Sequence, residues 1–442
     1  MEARKSMKLF CLCVTLISLS VQGQIEISEI EIKEFRQETM SCTHRLLTVC
    51  PTQSREGLFV LTQCIPSDSK LLFLWKIDEA GDVLQKSFLS EVEGRPVRFD
   101  RPESMIVIPH GHLLVVDTPL RYGDSVPANP EFYDFSIPNV ITGDPDLLTL
   151  AIVGEPFGKS LCLPCQTKLS LLNQESCLIF AREKGNSSDR DIFLRLDNDG
   201  NVTHKIPVFD PWVEICDFDI QKNEEIVAVV ARKNITEEIG PSWRYSTGFL
   251  NAASGHILQT DVFQSDIYNV RDADRPYNYV AQELLPKIVA LKDNSFLCFY
   301  SSPLDSKTVA VKVRFYSTEF KFLKEKELLK LDCGFISKEL PYPNSLDVAF
   351  LDGVHFVVTV LTKGRLHLWL FDLKGNLKDS KSIGETQKMI VMYGLFSLNK
   401  SVAAVVSELG IPSERPIARE DFNESKKAIK LYSIRKKQPQ SY

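Results

Sequence analysis

The amino-acid sequence predicts an all-β protein built from one repeated unit of four strands. Short apolar runs, often alternating or β-branched and bounded by turn residues, recur along the chain, whereas the 3.6-residue period of a helix is nearly absent. One strand–turn–strand segment also repeats without gaps. Its copies are separated by whole multiples of one period, which is typical of an array of similar structural units.

The repeated segment is a strand, then the pattern Asp-x-x-Gly-Asn/Asp-Val/Leu, then a second strand. Three copies carry this pattern, at residues 72–83, 191–202 and 366–377. Glycine fits the positive-φ position of a hairpin turn, and the aspartate can accept hydrogen bonds from its own turn. Each copy is therefore predicted to be a β-hairpin.

The spacing of the hairpins gives the number of units. Gly81 and Gly200 are 119 residues apart and Gly200 and Gly375 are 175 apart, which corresponds to two and three periods of about 58–60 residues. Weaker copies complete the series near Gly143, Gly255, Glu319 and Ile434. This count gives seven units, and the seventh lacks a final strand.

Two more strand-like runs precede each hairpin. In chain order these pairs of runs are 45–50 with 58–62, 104–108 with 112–117, 168–172 with 177–181, 213–218 with 226–231, 287–291 with 296–300, 346–351 with 355–361, and 389–396 with 402–407. Residues 25–35 (IEISEIEIKEF) form another strand-like run before the first unit. We predict that this run pairs with residues 429–434 and completes the seventh unit, because such pairing removes an open sheet edge.

Seven units of four strands resemble the seven-bladed β-propeller superfamily, over nearly the whole chain after residue 23. The Trp-Asp and Gly-His pairs of WD40 repeats and the double glycine of kelch repeats do not recur. The resemblance is therefore one of architecture, and it implies a single domain over residues 24–442. A pair of β-sandwich domains, the alternative, would not place hairpins at whole multiples of one period.

The first 23 residues have the order of a secretory signal peptide. Three basic residues precede the apolar run 9–21, and Val21 and Gly23 supply the small side chains of a cleavage site before Gln24. A signal anchor is the alternative, but the run is short for a membrane span. We therefore predict a secreted protein without membrane insertion.

Charge and composition narrow the classes of partner. The chain has 52 basic and 58 acidic residues, and loss of residues 1–23 removes three basic and one acidic residue, leaving 49 and 57. The resulting charge of −8 gives no reason to expect nucleic acid or an anionic membrane as partner. Five Asn-x-Ser/Thr sequons predict a glycoprotein whose glycans lie on surface loops, at Asn186, Asn201, Asn234, Asn399 and Asn423.

Nine cysteines remain after residue 23, an odd number, so at least one is free or pairs between chains. In an oxidising compartment we expect a few structural disulfides. Cys298 lies in an apolar run and is predicted to be a buried thiol. Cys162 and Cys165 have the spacing of a redox motif, but no strand–helix context surrounds them, so a structural disulfide is favoured.

No local motif predicts a catalytic residue, a metal site or a cofactor. The glycines of residues 154–160 are too close in sequence for a phosphate loop. His110 and His112 lack a clustered third ligand for zinc. Residues 197–200 fit a hairpin turn better than a calcium loop.

The most distinctive segment outside the repeats is the insertion 264–285, between the fourth and fifth units. It carries Arg271, Arg275, Tyr277 and Tyr279, residue types that dominate binding hot spots, and these four are the candidate partner-binding residues. A solvated loop that only covers one face is the alternative. A second insertion, 119–133, has similar composition.

The positions of the sequons indicate which part of the propeller face is free of glycans and could bind a partner. By the predicted strand order, Asn186, Asn234 and Asn423 lie in second-to-third-strand loops of units three, four and seven, on the face from which the insertion 264–285 emerges. The sector of that face near units five, six and one stays open. The sequence thus predicts an extracellular binding module for protein or glycan, and a secreted metal-dependent lactonase- or esterase-like hydrolase with its site at the axis is the alternative.

Overall fold

The structure is a computed structural model of the 442-residue chain. It describes residues 25–30, 32, 43–65, 72–89, 91–92, 95–96, 102–107, 113–117, 139–144, 149–154, 161–162, 169–172, 176–183, 190–197, 201–208, 214–221, 226–235, 242–264, 284–304, 308–332, 345–412 and 427–437. Over these ranges the secondary structure is strand and turn. None of the described segments forms a helix long and apolar enough to cross a membrane.

The strands form antiparallel sheets in chain order, and the first strand, β1 (Ile25–Ile30), joins the last of them. Sheet 1 contains β2 (Thr43–Pro51), β3 (Gly57–Ile65), β4 (Leu72–Asp78) and β5 (Val83–Leu89). The short strands β6 (Glu91–Val92) and β7 (Arg95–Pro96) pair with each other. Sheet 2 contains β8 (Pro102–Val107), β9 (Leu113–Asp117), β10 (Asn139–Asp144) and β11 (Thr149–Gly154). Sheet 3 contains β12 (Leu161–Cys162), β13 (Leu169–Leu171), β14 (Ser176–Glu183), β15 (Arg190–Asp197) and β16 (Val202–Pro207).

The second half of the chain is equally regular. Sheet 4 contains β17 (Glu214–Gln221), β18 (Ile226–Ile235), β19 (Ser242–Asn251) and β20 (Ile257–Gln264). Sheet 5 contains β21 (Lys287–Ala290), β22 (Phe296–Pro303), β23 (Thr308–Tyr316) and β24 (Phe322–Asp332). Sheet 6 contains β25 (Ser345–Phe350), β26 (His355–Thr362), β27 (Arg365–Asp372) and β28 (Leu377–Ile383). Sheet 7 contains β29 (Met389–Ser397), β30 (Val402–Leu409), β31 (Lys427–Lys436) and β1.

This series of antiparallel four-stranded sheets is a β-propeller architecture, so the predicted all-β fold class is confirmed. The predicted number of blades is corrected: over the described ranges six sheets have four strands, which gives six four-stranded blades and not seven. Sheet 3 differs because β12 and β13 both pair with β14, which makes it five-stranded. Pro164, which has no N–H to donate to a ladder, separates β12 from β13 in the sequence.

The repeated hairpins form as predicted, by the chemistry of their turns. Asp372 Oδ1 accepts the backbone N–H of Asn376 at 2.8 Å, and Asp78 Oδ1 accepts that of Asp82 at 2.9 Å. Gly375 has a φ of 74°, in the left-handed region that favours glycine. The aspartate and glycine of the repeat therefore shape the turn between the third and fourth strands.

The hairpin of sheet 5 has the same turn geometry, although the aspartate and glycine of the repeat are replaced by other residues. Ser317 Oγ replaces the aspartate and accepts the N–H groups of Glu319 and Lys321 at 3.1 and 3.2 Å. Phe320 occupies the glycine position with a φ of 64°. Such a φ is strained for a bulky side chain.

The core lies between consecutive sheets. Separate clusters of buried apolar side chains join sheets 3 and 4, 4 and 5, 5 and 6, 6 and 7, and 7 and 1. Aromatic pairs bridge three of these interfaces, namely Phe193–Phe218 at 5.0 Å, Phe249–Phe296 at 5.1 Å and Phe299–Phe356 at 5.4 Å. Since sheets 4, 5, 6 and 7 each contribute to two of these clusters, their strands are rich in apolar residues rather than strictly alternating.

The predicted pairing of the N-terminal run with the end of the chain is confirmed for β1. Ile25 pairs with Lys436 and Ile30 with Leu431 in an antiparallel ladder. Ile25 is fully buried, and its N–H donates to Asp379 Oδ2 on β28 at 2.7 Å. Strand β1 therefore completes sheet 7 and also contacts sheet 6.

Candidate functional site

The candidate partner-binding residues Arg271, Arg275, Tyr277 and Tyr279 lie outside the described residues. The structure does describe the two points between which their segment runs, the end of β20 at Gln264 and the residues from Leu284 onward. The insertion therefore connects sheet 4 to sheet 5, as the sequence predicts.

The second of these points is firmly anchored. Leu284 is fully buried, and its backbone N–H donates to Ser301 Oγ at 2.9 Å. The Ser301 hydroxyl donates in turn to the carbonyl oxygen of Leu284 at 3.2 Å. This reciprocal pair fixes the return of the chain against β22.

Three aromatic rings lie beside the first point. Phe263, next to the end of β20, stacks on Tyr245 with ring centroids 5.5 Å apart and meets Tyr300 at 4.9 Å. Tyr245 and Tyr300 are 5.3 Å apart, and the hydroxyl of Tyr245 donates to the carbonyl oxygen of Ser301 at 3.3 Å. All three rings are buried, so sheets 4 and 5 are tightly joined at this end.

Arg314 of β23 extends this cluster toward the rim. Its guanidinium lies between the rings of Phe263 and Phe322, 4.3 and 4.0 Å from their centroids. It donates to Asp261 Oδ2 at 2.8 Å and to Glu325 Oε2 at 2.7 Å. We use the name insertion base for the cluster formed by eight residues: Tyr245, Asp261, Phe263, Tyr300, Arg314, Tyr316, Phe322 and Glu325.

The charges of the insertion base are mutually satisfied. The hydroxyl of Tyr316 donates to Asp261 Oδ2 at 2.8 Å and accepts from the Thr247 hydroxyl at 2.9 Å. Burial opposes the charge of Arg314, but Tyr316 and Asp261 outweigh it and raise the pKa of the guanidinium. Burial also raises the pKa of the Tyr316 hydroxyl. The cluster thus holds a fixed positive charge and a protonated phenol, which suits a rigid support.

Sequence reasoning missed this cluster because its members come from five strands, β19, β20, β22, β23 and β24. Asp261, Arg314 and Glu325 carry no local motif, and only their topology unites them. The only hint in the sequence was that β23, an otherwise apolar strand, contains Arg314 as well as Lys312.

Carboxylates on the first strand of sheet 4 bind the next sheet. Asp217 Oδ2 accepts the N–H of Ile288 at 3.0 Å, and Asp219 Oδ2 accepts that of Ala290 at 2.8 Å. Both acceptor groups therefore serve to align β17 with β21. Over the described ranges, no group of three or more His, Cys, Asp or Glu side chains is arranged to hold a metal ion.

Two sequon asparagines have described, exposed side chains. Asn201 lies in the turn after Asp197, whose Oδ1 accepts its N–H at 2.8 Å, so this segment is a hairpin turn. Asn399 lies in the turn between β29 and β30, and its Nδ2 donates to the Ser54 carbonyl at 2.7 Å. The predicted loop position of Asn234 is corrected, because it is the next-to-last residue of β18 and pairs with Trp243 of β19. Asn186 and Asn423 lie outside the described residues.

The described cysteines give no support to structural disulfides. Cys50, Cys177 and Cys298 are buried thiols, which confirms the prediction for Cys298. Burial raises the pKa of Cys177 to about 12, with Asp197 adding to the effect. Each of these thiols lies in a different sheet, so the expected disulfides are absent among them. Cys42, Cys165 and Cys333 lie outside the described residues.

No protein-family model and no curated protein sequence matches this chain. Its fold is similar to that of the polysaccharide lyase Uly1, with a TM-score of 0.50 and 8% identity over 88% of this chain and 89% of that one. The WD40 domain of Toxoplasma gondii coronin gives a TM-score of 0.45 at 6% identity, covering 95% of this chain and 88% of that one. Prolyl oligopeptidase B from Galerina marginata gives 0.41 at 9% identity, covering 86% and 48%. Such identities indicate a shared fold only.

Proposed function

We propose that the chain is a secreted glycoprotein, mature from residue 24, whose propeller is an extracellular binding module for protein or glycan. The insertion between sheets 4 and 5 supplies the contact residues Arg271, Arg275, Tyr277 and Tyr279. The propeller itself supplies a rigid frame and no chemistry.

The frame we propose is a closed ring in which the numbered sheets follow one another side by side. First strands of consecutive sheets contact one another, as between β17 and β21, β21 and β25, and β25 and β29. Contacts of β29 and β31 with β2, and the buried cluster shared by sheets 7 and 1, support the last junction. Closure by β1 would leave the ring without a gap.

The observation that carries the binding role is the insertion base. Buried rings and a satisfied ionic network anchor both ends of an Arg- and Tyr-rich segment. A loop held on a rigid support loses less conformational entropy on binding than a loop with free ends. Tyr and Arg side chains add large contact area and directional hydrogen bonds.

The carboxylates of β17 favour binding over hydrolysis. A hydrolase at the axis needs acidic groups free to bind a metal or activate water. Asp217 and Asp219 instead accept backbone N–H groups of the adjacent strand. The fold likenesses to a polysaccharide lyase and a prolyl oligopeptidase do not alter this preference, since the same fold hosts many functions.

The first experiment is expression of the full chain in secreting animal cells. We expect the protein in the medium, an N-terminus at Gln24, and a mass decrease after enzymatic removal of N-glycans. A protein retained in the cell with residues 1–23 attached would contradict secretion.

The second experiment tests binding directly. The purified protein is applied to arrays of extracellular proteins and of glycans, and any ligand is retested with the Arg271→Ala, Arg275→Ala, Tyr277→Ala, Tyr279→Ala variant. The matched control carries four alanines in the other insertion, at Arg121, Tyr122, Phe132 and Tyr133. We expect loss of binding in the first variant only. Bound metal together with turnover of ester or lactone substrates, and no ligand on either array, would support the hydrolase instead.

A further inference from the structure

A cluster of charged side chains joins β1 to the rest of sheet 7. Lys430 of β31 places its Nζ 3.1 Å from Glu29 of β1, 3.5 Å from Glu408 of β30 and 3.5 Å from Glu385. Lys388 forms a second ion pair with Glu385 at 2.9 Å. One ammonium group is thus shared by three carboxylates from three different segments.

Glu408 is the unusual member of this cluster. Its side chain is 1% exposed, and neither of its oxygens accepts a well-formed hydrogen bond from the part of the chain that the structure describes. The 3.5 Å approach of Lys430 is its closest described ion pair, whereas Lys430 lies nearer to Glu29. A buried carboxylate with such incomplete compensation is costly when ionised.

Burial raises the pKa of Glu408 above its ordinary value of 4.5, and the positive charges of Lys430 and Lys388 only partly oppose this effect. Glu385 adds to the increase, because its negative charge also disfavours ionisation of Glu408. Tyr432 also lies in this group, and its hydroxyl donates to Glu29 at 3.4 Å. Among the described residues, Lys430, Lys388, Glu385, Tyr432 and Glu29 are the charged and titratable groups near Glu408.

We propose that this Glu408–Lys430 cluster is a pH-sensitive latch that holds β1 against sheet 7 more tightly in mild acid than at neutral pH. When Glu408 is protonated, no uncompensated charge is buried, and Lys430 serves Glu29 and Glu385 alone. When Glu408 is ionised, the cluster carries three negative and two positive charges, and Lys430 is divided among three partners. Release of β1 would uncover the edge of β31.

The direction of the effect follows from proton linkage. A carboxyl group with a higher pKa in the folded than in the unfolded state binds its proton more tightly when folded. It therefore stabilises the latched state fully below pH 4.5, and this contribution falls as the pH rises to the folded pKa of Glu408. Each unit by which that pKa is raised changes the opening equilibrium by up to about tenfold.

Hydrogen exchange of the secreted full chain measures this latch. Protection factors of residues 25–30 are compared at about pH 4, below the unfolded pKa, and at about pH 8, with β23 as an internal reference for global opening. We expect the β1 segment to lose protection at the higher pH by several-fold, approaching about tenfold for a one-unit pKa shift, while β23 does not change. Equal protection of β1 at both values would overturn the proposal.

Variants separate the latch from a general pH effect. Glu408→Gln removes the titration, so β1 protection should no longer depend on pH. Glu26→Gln is the matched control, since Glu26 is an exposed β1 carboxylate that pairs in register with Arg435, and it should retain the wild-type dependence. Persistence of the wild-type dependence in Glu408→Gln contradicts the proposal.

A second variant keeps the test decisive if Glu408→Gln does not fold. Glu385 is 55% exposed, so Glu385→Gln should be tolerated. Loss of its negative charge should move the loss of β1 protection to lower pH. An unchanged midpoint would overturn the latch.

Discussion

Phe320 allows backbone strain and side-chain packing to be measured at one position. It stands where the hairpins of sheets 1, 4 and 6 have Gly81, Gly255 and Gly375, and its φ is 64° against 74° at Gly375. Its ring stacks on Phe249 with centroids 5.1 Å apart and lies 6.1 Å from Phe296. Packing of the ring therefore stabilises the interface between sheets 4 and 5, whereas the positive φ of Phe320 destabilises the folded state.

The sizes of the two effects predict an order of stability. A half-buried phenyl ring contributes about 2 kcal/mol by area, and an aromatic pair adds about 1 kcal/mol. A left-handed conformation costs a non-glycine residue about 1 kcal/mol. Phe320→Ala loses the ring and keeps the strain, whereas Phe320→Gly loses the ring and relieves the strain. We expect both variants to be less stable than the parent by about 2–3 kcal/mol, with glycine about 0.5–1 kcal/mol more stable than alanine.

Urea unfolding followed by intrinsic fluorescence measures these differences through the transition midpoints. Leu323, which is exposed in β24, supplies the matched control. There Leu323→Ala should be more stable than Leu323→Gly, the usual order in a strand. If Phe320→Ala proves as stable as Phe320→Gly, the backbone at this turn is not strained and our account of the glycine position is wrong.

Three other changes have definite expected outcomes. Gly57→Ala would place its Cβ against the carbonyl oxygen of Ile77 on the paired strand, so we expect a loss of at least about 2 kcal/mol of unfolding free energy in the same urea assay. Asp261→Asn removes the charge that faces Arg314 at 2.8 Å and should cost about 2 kcal/mol; an unchanged urea midpoint would show that the ion pair contributes nothing. The Cys298 thiol is fully buried with a raised pKa, so it should react with a thiol reagent only under denaturing conditions, and rapid labelling of the folded protein at this residue would contradict that burial.

The sequence was most informative where local chemistry determines structure. Asp78 and Gly375 belong to a turn motif whose hydrogen bonds and positive φ are intrinsic to the residues, so the hairpins and their period could be predicted. The partner of the N-terminal run could also be predicted, because a unit lacking one strand needs an edge to be covered.

Features that depend on tertiary packing could not be predicted from the sequence. The division of the first strand of sheet 3 into β12 and β13 was missed, because residues 168–172 alone read as one strand. The turn at Phe320 has no glycine to mark it in the sequence. There the contact of the ring with Phe249 compensates for a φ that favours glycine. The insertion base was invisible for the same reason: Asp261 and Arg314 are distant in sequence and meet only through the packing of sheets 4 and 5.

The disulfide expectation followed from the predicted compartment rather than from geometry. The signal-like N-terminus predicted an oxidising compartment and hence a few disulfides, yet Cys50, Cys177 and Cys298 lie inside separate sheets. Strand interiors with large apolar clusters reduce the need for cross-links, since the fold already has an extensive core.

The affinity of the four-alanine variant of the insertion tests most directly whether this propeller is a binding module. With an array-identified ligand, the parent and the variant lacking Arg271, Arg275, Tyr277 and Tyr279 are compared by surface-immobilised binding, with urea midpoints confirming an intact fold. Loss of hot-spot side chains should weaken binding at least about 30-fold, equivalent to about 2 kcal/mol, while the variant of the other insertion binds like the parent. Equal affinity of the parent and the four-alanine variant would mean that the insertion only covers the propeller face.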